Sequence, residues 1–594
     1  MSVSGVFPYA QRVVARSLVL LAALLVALGA GLVQPATPAS AIVLARDISL
    51  PAPGPLGPVT VLGDSVLLGS ALYSPTLPDK LQEQGWGPIL FRAGVGNRAG
   101  PAGNATTAGY WIRAWRSQGW DAPNVIVNLG ANDSGVCGTD SACARRRILD
   151  VVEEIGPGHR IWWPMITQHP QNRPTADAWN RALSELAAER NDFFTWDWPT
   201  ELATGGYSTN DFIHLDPSGY RKRSQRMAAA FTAALARAER TGGDAALPAP
   251  TAAASRYVPL APVRIVDTRT DAPGRRPDNS QLVVDFADRL PPGTTAVAIN
   301  VTAAGPGADG YLAAGPCGRP INASTVNFTR LTERAAMTVS PLGGDGRICV
   351  ANRGDTDVIV DLQGAFVDDT AAAGFTPLAQ NQRLVDTRAT GRSRVLVVPT
   401  PPGATAVAVN LTVVNADTPG FLRATPCGST VDVSSVNYQA VEAVAGSAYV
   451  TTSAQGTICV ETSTPADVIV DLTGQFGDGG LSYVPVAPTR MLDTRNAVGG
   501  WSPIHGPGQT LDIRVAPPEA RAVTGTLTIV NPARAGFLVA HACGPLPPTS
   551  SVNAADGLAL ANSLTTGVSS DGRLCVYADP MTHSLFDATG WWIP

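Results

Sequence analysis

The chain has 594 residues, which is too long for a single ordinary core and indicates about three to five domains. Its 43 basic and 48 acidic residues give a net charge of -5, so neither nucleic acid nor an anionic surface is expected as a partner. The composition is that of a globular protein, with 45% hydrophobic and 15% charged residues.

Residues 1–41 have the features of an export signal. Arg12 and Arg16 precede the apolar run SLVLLAALLVALGAGLV, and the small residues ASA at 39–41 fit a signal peptidase site. We therefore expect the mature chain to begin near Ile42. The alternative is an uncleaved membrane anchor, because the run approaches the length that spans a bilayer. No second long apolar stretch follows, so no integral membrane domain is expected in the mature chain.

Residues 56–240 alternate between strand and helix patterns. PVTVLGDS and NVIVNLGAND are short apolar runs that end in Gly and polar residues, and RIWWPMI and DFFTWDW are two further strand candidates. The segments TADAWNRALSELAAER and SGYRKRSQRMAAAFTAALARAER have helical spacing and polar residues near their starts. This alternation predicts an α/β domain, a parallel sheet with helices on both faces.

The first of these strands ends in Gly-Asp-Ser, which makes Ser65 either a nucleophile or an ordinary turn residue. A reactive serine needs a base, an acid that orients the base, and donors for the oxyanion. His214 follows Asp211 by three residues, a spacing that lets a turn bring carboxylate and imidazole together. Asn132 and the backbone N–H groups of Gly96 and Ser65 are the candidate oxyanion donors. Taken singly, each of these residues is more often a cap, turn or loop residue.

Four motifs occur in the order GDS, GVGNR, GAND and DFIH. This set resembles the four blocks of the SGNH, or GDSL, hydrolases, which act as esterases, lipases, deacetylases or acyltransferases. The resemblance implies a flavodoxin-like three-layer fold and requires no metal or organic cofactor. The glycine of the second block is Gly94 or Gly96, and Gly96 is preferred because Asn97-Arg98 follows it. The roles implied are nucleophile for Ser65, acid and base for Asp211 and His214, and oxyanion donors for Ser65, Gly96 and Asn132.

Within that family, GDSVLLGS, TWDW and AWN look like extracellular domains that move or remove acetyl groups on bacterial wall polymers. The predicted function is an exported serine ester hydrolase acting on acyl esters of cell-envelope carbohydrate or lipid. Two alternatives stay open: an envelope O-acyltransferase that uses the same residues, and a non-catalytic wall-binding protein. The protein is expected to be a secreted monomer, with association to the cell wall a further possibility.

Seven other side chains in this domain have expected roles outside the catalytic set. Five tryptophans are expected in the core more often than on a platform for sugar or acyl groups. His169 has no acid at a matched spacing, so a structural or substrate-contact role is favoured, and Asp197 is expected to be structural or at the rim. The five tryptophans are Trp111, Trp115, Trp162, Trp163 and Trp179.

Residues 241–255, TGGDAALPAPTAAAS, have the composition of a linker, so few contacts are expected to cross it. Three copies of a β-rich repeat follow, at 256–367, 374–477 and 482–594, and they open with YVPLAPVRIVDTR, FTPLAQNQRLVDTR and YVPVAPTRMLDTR. Short alternating strands divided by Gly, Pro and Asn turns predict three all-β domains of sandwich type. These openings resemble repeats of exported proteins from high-GC Gram-positive bacteria, for which wall binding or spacing is the expected role.

The cysteines follow the repeat, because the last six form three pairs of equal spacing. In an oxidising environment this predicts one disulfide for each repeat and a small closed loop in the first domain. A metal site is disfavoured, since the sequence offers no CxxC and no clustered histidines. The Asp-Thr-Arg of each repeat is expected to be a structural ion pair, not one of three identical catalytic sites. The predicted disulfides are Cys137–Cys143, Cys317–Cys349, Cys427–Cys459 and Cys543–Cys575.

Overall fold

The computed structural model describes residues 44–100, 105–190, 192–209, 211–321 and 323–594. The export signal predicted for residues 1–41 therefore lies outside the described residues. Across the described ranges, no helix is both long enough and apolar enough to cross a membrane. Residues Ala45–Pro594 form one compact unit, which contains an N-terminal α/β domain and the three β-rich repeats.

The N-terminal domain is built on one six-stranded sheet. Its strands are β1 (Ala45–Leu50), β2 (Val59–Gly63), β3 (Ile89–Gly94), β4 (Asn124–Asn128), β5 (Arg160–Pro164) and β6 (Phe193–Trp196). They lie in the order β1-β3-β2-β4-β5-β6, with β1 antiparallel at the edge and the other five parallel. Counted without β1, the order of the parallel strands is 2-1-3-4-5, which is the flavodoxin-like order that the resemblance implies.

Helices cover both faces of this sheet, so the domain has the three layers expected. The layer on one face holds Leu67 and Phe231, and the layer on the other holds Ile148 and Leu183. The helices are α1 (Ser65–Gly69), α2 (Leu77–Glu83), α3 (Ala108–Arg116), α4 (Ala131–Cys137), α5 (Ser141–Ile155), α6 (Arg173–Glu189), α7 (Trp198–Thr204) and α8 (Pro217–Leu235), with a 3-10 turn at Pro170–Asn172.

Most of the candidate tryptophans fill these layers. Trp162, Trp163 and Trp179 have at most 1% of their surface exposed, and Trp115 has 8%. Trp111 is only half-buried, and the Arg92 guanidinium lies 3.5 Å from the centre of its ring. The expectation of core packing therefore holds for four of the five, and large aromatic side chains make up much of the core.

Each repeat contains two four-stranded antiparallel sheets, joined in the same order in all three copies. The first repeat comprises β8 (Arg256–Asp267), β9 (Ser280–Val284), a 3-10 turn (Ala287–Arg289), β10 (Thr294–Ala304), β11 (Gly310–Pro316), β12 (Val326–Phe328), β13 (Arg334–Pro341), β14 (Ile348–Arg353) and β15 (Asp357–Val367). The second comprises β16 (Gly374–Asp386), α9 (Thr387–Thr390), β17 (Val395–Pro399), β18 (Ala406–Val414), β19 (Gly420–Pro426), β20 (Val436–Tyr438), β21 (Val444–Thr451), β22 (Thr457–Thr462) and β23 (Asp467–Gly477). The third comprises β24 (Ser482–Asp493), β25 (Trp501–Ser502), β26 (Gln509–Arg514), β27 (Ala522–Val530), β28 (Gly536–Ala542), β29 (Val552–Ala554), β30 (Ala559–Gly567), β31 (Arg573–Ala578) and β32 (His583–Ile593).

The two sheets of each repeat enclose an apolar core, as in a sandwich. In the first repeat Val284 and Val350 of one sheet meet Val297 and Val360 of the other, and the second and third repeats have matching cores. All four disulfides pair as the sequence predicts. Asp267 and Arg269, the Asp and Arg of the first Asp-Thr-Arg, form an ion pair at 2.6 Å, and both later copies do the same.

The three sandwiches also pack against one another around a second, shared apolar core. Its aromatic side chains come from every repeat and are fully buried. The ring centres of Tyr257 and Phe476 lie 4.3 Å apart, and those of Phe366 and Tyr483 lie 4.7 Å apart. These contacts join the first repeat to both others. The Ser447 N–H of the second repeat donates to Asn562 Oδ1 of the third at 2.9 Å, so the repeats close into a ring.

The segment 241–255 is packed against the third repeat. Asp244 forms an ion pair with Arg573 at 2.9 Å, and Thr251 donates from its backbone N–H to the Pro485 carbonyl. Leu247 packs on the apolar core of that repeat. These contacts contradict the expectation that few contacts would be made across residues 241–255. The small residues let the segment lie close to the third repeat, and its one carboxylate, Asp244, pairs with Arg573.

The end of the N-terminal domain also docks on the third repeat. The Gln509 side chain both accepts from the Ala238 N–H at 2.9 Å and donates to the Ala238 carbonyl at 2.6 Å. Ile504 and Met581 pack against the apolar layer that contains α8. A short pairing of β7 (Glu239–Arg240) with β25 continues the junction. The α/β domain is therefore joined to the repeats by buried apolar and polar contacts.

Candidate active site

The candidate residues lie at the carboxyl ends of neighbouring parallel strands. Ser65 is the first residue of α1 and is separated from the end of β2 only by Asp64, which caps the helix. Asn132 lies in the first turn of α4 after β4. Gly96 follows β3, which is the neighbour of β2 on its other side. In an open doubly wound sheet, ligands bind in the crevice outside these strand ends. The topology therefore explains why residues distant in sequence reach one place.

Ser65, His214 and Asp211 form a continuous hydrogen-bonded chain. Ser65 Oγ lies 2.9 Å from His214 Nε2, and His214 Nδ1 lies 2.6 Å from Asp211 Oδ2. Because an ionised carboxylate only accepts hydrogen bonds, Nδ1 is the ring nitrogen that carries the proton. Nε2 is then left as the acceptor that faces the serine hydroxyl, which is the arrangement a general base requires.

The loop that carries Asp211 holds its carboxylate firmly. Asp211 Oδ1 accepts from the backbone N–H groups of Ile213 at 3.0 Å and His214 at 2.6 Å. Partial burial opposes ionisation, but the hydrogen bonds from the His214 ring and from this backbone lower the pKa of Asp211 to about 2. The Asp211 carboxylate is therefore ionised above about pH 4.

The candidate oxyanion donors are the backbone N–H groups of Ser65 and Gly96 and the side-chain amide of Asn132. In the part of the chain that the structure describes, the backbone N–H groups of Ser65 and Gly96 have no hydrogen-bond acceptor. Gly96 has a φ of 76°, a conformation that glycine adopts without strain, and the residue is exposed. The Asn132 amide donates one hydrogen to the Asn97 carbonyl at 2.9 Å, which fixes its orientation and leaves its second hydrogen for a ligand.

Asn97 connects the candidate residues although the sequence motifs assign it no role of its own. Its side-chain amide donates to the Gly63 carbonyl at 2.9 Å, while its own carbonyl accepts from Asn132. It therefore links the ends of β2 and β3 to the start of α4. The only sequence signal for it was its place in the motif GVGNR.

Buried charges lie directly beneath the site. Asp64 and Asp133 have no exposed surface, and Arg223 has 1% exposed. Asp133 accepts from the Ala99 N–H at 2.9 Å and forms an ion pair with Arg147 at 3.0 Å. Burial raises the pKa of Asp64 to about 6, against the opposing hydrogen bond from the Val66 N–H and the charge of Arg223.

The raised pKa of Asp64 predicts a pH-dependent gain in stability for Asp64→Asn. Between about pH 4 and pH 6 the folded carboxyl holds its proton more tightly than the unfolded one, so stability falls as pH rises through this window. Asn is uncharged and keeps an oxygen that caps α1. At pH 8 the free energy of unfolding of the variant should therefore exceed that of the parent protein by about 1–3 kcal/mol. Urea unfolding at pH 8 and pH 4 measures this, and a gain of equal size at both would contradict the assigned cause.

Phe212 and His169 form a wall beside the site that the sequence did not predict. Phe212 lies between Asp211 and His214 in the sequence and has a φ of 63°, which is rare for a bulky residue; 48% of its surface is exposed. Its ring meets the His169 ring edge-on, with the centres 5.4 Å apart. Gln168 donates to the Ala131 carbonyl at 2.7 Å, so this wall continues to the residue before Asn132.

The remaining candidates have structural partners. His169 Nδ1 accepts from the Gln171 N–H at the start of a short 3-10 turn. Asp197 caps α7, since its carboxylate accepts from the Thr200 N–H at 3.1 Å and from the Thr200 hydroxyl at 2.7 Å. In the described ranges, no group of three or more His, Cys, Asp or Glu side chains is arranged to hold a metal ion.

Part of the chain is similar to known proteins. Residues 61–222 match the model of the GDSL-like Lipase/Acylhydrolase family. A lipolytic protein of the G-D-S-L family from Veillonella parvula is 18% identical over 29% of this chain and 96% of its own, with a TM-score of 0.25. A carbohydrate acetylesterase family member from Sinorhizobium meliloti is 17% identical over 29% of this chain and 94% of its own, with a TM-score of 0.24. The catalytic domain of a Streptococcus pneumoniae peptidoglycan O-acetyltransferase is 15% identical over 30% of this chain and 90% of its own, with a TM-score of 0.23.

No curated protein sequence matches this chain. The family model begins within β2, just before the Gly-Asp-Ser, and ends in the first turns of α8, just after the Asp-Phe-Ile-His motif. Strands β3 to β6, helices α1 to α7 and the four motifs in their order all lie in this segment. Residues 61–222 therefore match a GDSL-like lipase/acylhydrolase domain.

Proposed function

We propose that this protein is a secreted serine ester hydrolase that acts on acyl esters of the cell envelope. The observation that carries the proposal is the unbroken hydrogen-bonded chain from Ser65 through His214 to Asp211. A hydroxyl beside an oriented imidazole is the arrangement that activates serine for acyl transfer. The four disulfides suggest an extracellular protein, because such bonds persist in oxidising surroundings.

In the proposed reaction His214 Nε2 takes the proton from Ser65 Oγ as that oxygen attacks the ester carbonyl. The negative charge that develops on the carbonyl oxygen is met by the N–H groups of Ser65 and Gly96 and by the Asn132 amide. His214 then gives its proton to the leaving alcohol, and an acyl-serine ester remains. Water attacks this ester by the reverse path, which releases the acid and restores the serine.

The openness of the site supports a substrate carried on a large molecule. The His214 and Asp211 side chains are 44% and 48% exposed, and Ser65 is partly exposed. Two apolar side chains near the candidate residues, Val95 and Phe212, are 52% and 48% exposed and are available to an acyl chain or a sugar ring. An ester on a polymer or a lipid headgroup can reach an exposed site of this kind, whereas a closed pocket would exclude such a large substrate.

The proposal is tested by supplying the mature protein with a chromogenic acetyl ester and with cell-envelope fractions. We expect chromophore release from the first, and release of carboxylic acid from the second as read by mass spectrometry. Transfer of the acyl group to an added sugar, with no acid released, would instead assign the acyltransferase activity. No reaction of any ester, with the fold intact, would leave the non-catalytic alternative.

Replacement of Asn132 by Ala should lower turnover by about a hundredfold to a thousandfold, as the loss of one oxyanion donor does in related chemistry. The loss is expected in kcat and not in KM, because the amide meets charge that exists only in the transition state. Steady-state kinetics on the acetyl ester measure both constants. A loss of less than about tenfold would make Asn132 merely structural through its bond to the Asn97 carbonyl.

A further inference from the structure

Asn97 is a buried residue that is bonded to every segment that supplies a candidate oxyanion donor. It follows Gly96 directly in the chain. Its Nδ2 donates to the Gly63 carbonyl at 2.9 Å, two residues before Ser65, and its own carbonyl accepts from the Asn132 amide at 2.9 Å. The three candidate donors are therefore connected through a residue that supplies none of them.

A tight turn joins Asn97 to the end of β3. The Asn97 N–H donates to the Gly94 carbonyl at 3.3 Å, which closes a turn of the four residues 94–97. Gly96 at the third position has a φ of 76°, and Val95 at the second keeps a negative φ, as in a type II turn. The hydrogen bond of such a turn does not use the N–H of the third residue, which is left for a ligand. Asn97 thus closes the turn on which the Gly96 donor lies.

The surroundings of Asn97 leave its side chain little room to move. A methyl group on Gly94 would lie 3.2 Å from both terminal atoms of the Asn97 amide, which is shorter than an ordinary van der Waals contact. Farther along the same loop, the Asp133 carboxylate accepts from the N–H groups of Ala99 at 2.9 Å and Gly100 at 3.4 Å. The loop after β3 is therefore fastened to α4, the helix that carries the amide donor.

The mutual placement of the donors decides how well an oxyanion is stabilised. Preorganised donors act without reorganisation during the reaction, and a misplacement of about 1 Å costs about a hundredfold in rate. The candidate donors belong to α1, to the loop after β3 and to α4, so no single element fixes the distances between them. Two hydrogen bonds and one peptide bond of Asn97 join these three segments.

We propose that Asn97 is a positioning residue that sets the mutual placement of the Ser65, Gly96 and Asn132 donors. The inference rests on the proposed ester hydrolysis, because the donors matter only where an oxyanion forms. The Asn97 amide is used at the Gly63 carbonyl, so the residue acts through the donors and not on the ester itself. Its loss therefore weakens stabilisation of the charged transition state more than it weakens binding of the neutral ester.

The test measures kcat and KM of the mature protein and of Asn97→Ala on a chromogenic acetyl ester. The variant's kcat should fall by about tenfold to a hundredfold, and its KM should change by less than about threefold. In the double variant with Asn132→Ala, the loss should fall short of the product of the two single losses by at least about threefold, because Asn97 acts partly through Asn132. Losses that multiply fully would overturn the proposal.

A second variant tests the donated hydrogen bond itself. Asn97→Asp keeps the size of the side chain but places an oxygen where Nδ2 donates to the Gly63 carbonyl, and an ionised carboxylate cannot donate. Its kcat at pH 8 should be at least as low as that of Asn97→Ala. A kcat close to that of the parent protein would overturn the proposal on its own, whether or not Asn97→Ala folds.

Asn124 provides a matched control for lost stability. It is also buried, and its Nδ2 donates to the Pro58 carbonyl at 3.1 Å, at the opposite end of β2 from Gly63. Asn124→Ala should lower the thermal midpoint about as much as Asn97→Ala and leave kcat unchanged. Equal kcat in these two variants would overturn the positioning role alone. A parent protein that turns over no ester would overturn the proposed function, and this inference with it.

Discussion

Ester turnover should fall by at least about a thousandfold when Ser65 is replaced by Ala, and the fold should be unchanged. The variant removes the only oxygen within hydrogen-bond distance of His214 Nε2 among the described contacts of that ring, so no acyl-serine ester can form. The side chain lies at the start of α1 and is partly exposed, so its loss leaves no cavity in the core. The rate of chromophore release from an acetyl ester measures the effect.

The chain offers a closely matched control for this variant. Ser141 is the first residue of α5, and Asp140 before it caps that helix as Asp64 caps α1. Both serines are partly exposed, but only Ser65 contacts a histidine. Ser141→Ala should therefore keep full activity and the same thermal midpoint. Activity in Ser65→Ala close to that of Ser141→Ala would remove Ser65 from the role of nucleophile.

The placement of the site is predictable from the sequence because its motifs follow buried strands. The motifs that contain Ser65 and Asn132 each end an apolar run, and in a parallel sheet such ends lie along one edge. The three-residue spacing of Asp211 and His214 similarly predicts that a turn joins them, as the 2.6 Å contact shows. Local patterns suffice here because each residue's position is set by the element it terminates.

The wall beside the site is not predictable in this way. Phe212 has a positive φ that no local preference favours, since a bulky residue gains nothing from that conformation in isolation. Its neighbour His169 comes from the loop after β5, and the contact between them depends on how two loops fold back on the sheet. Strain of this kind is held by the surrounding structure and is often found at functional sites.

The closed ring of repeats is also not predictable from the hydrophobic pattern of the strands. Alternation along β10 predicts that one face is buried, but it does not distinguish a core within one sandwich from a core shared by three. Tyr257 and Trp592 belong to the shared core although they stand at opposite ends of the repeat region. The composition of residues 241–255 likewise predicts a free linker, because small residues and proline say nothing about the surface on which a segment lies.

Replacement of Asp211 by Asn should lower turnover by about a thousandfold to ten-thousandfold. Asp211 Oδ1 accepts two backbone N–H groups, from Ile213 and His214, so the amide oxygen of an Asn must take that place. Its NH₂ group then occupies the position of Oδ2 and donates to His214 Nδ1. The ring is forced to carry its proton on Nε2, where it faces Ser65 and can no longer accept the hydroxyl proton.

The pH dependence distinguishes this account from a simple loss of charge. Because hydrogen bonding lowers the pKa of Asp211 to about 2, the carboxylate is ionised throughout the range from about pH 4 to pH 9, and its titration cannot shape the activity profile there. Asp216→Asn serves as the control, since Asp216 caps α8 through the Gly219 N–H and does not contact the imidazole. Asp211→Asn should still react slowly with an organophosphonate, which labels Ser65, whereas Ser65→Ala should not react at all. If Asp211→Asn and Asp216→Asn retain equal turnover, the carboxylate does not orient the base, and the serine must be activated by His214 alone.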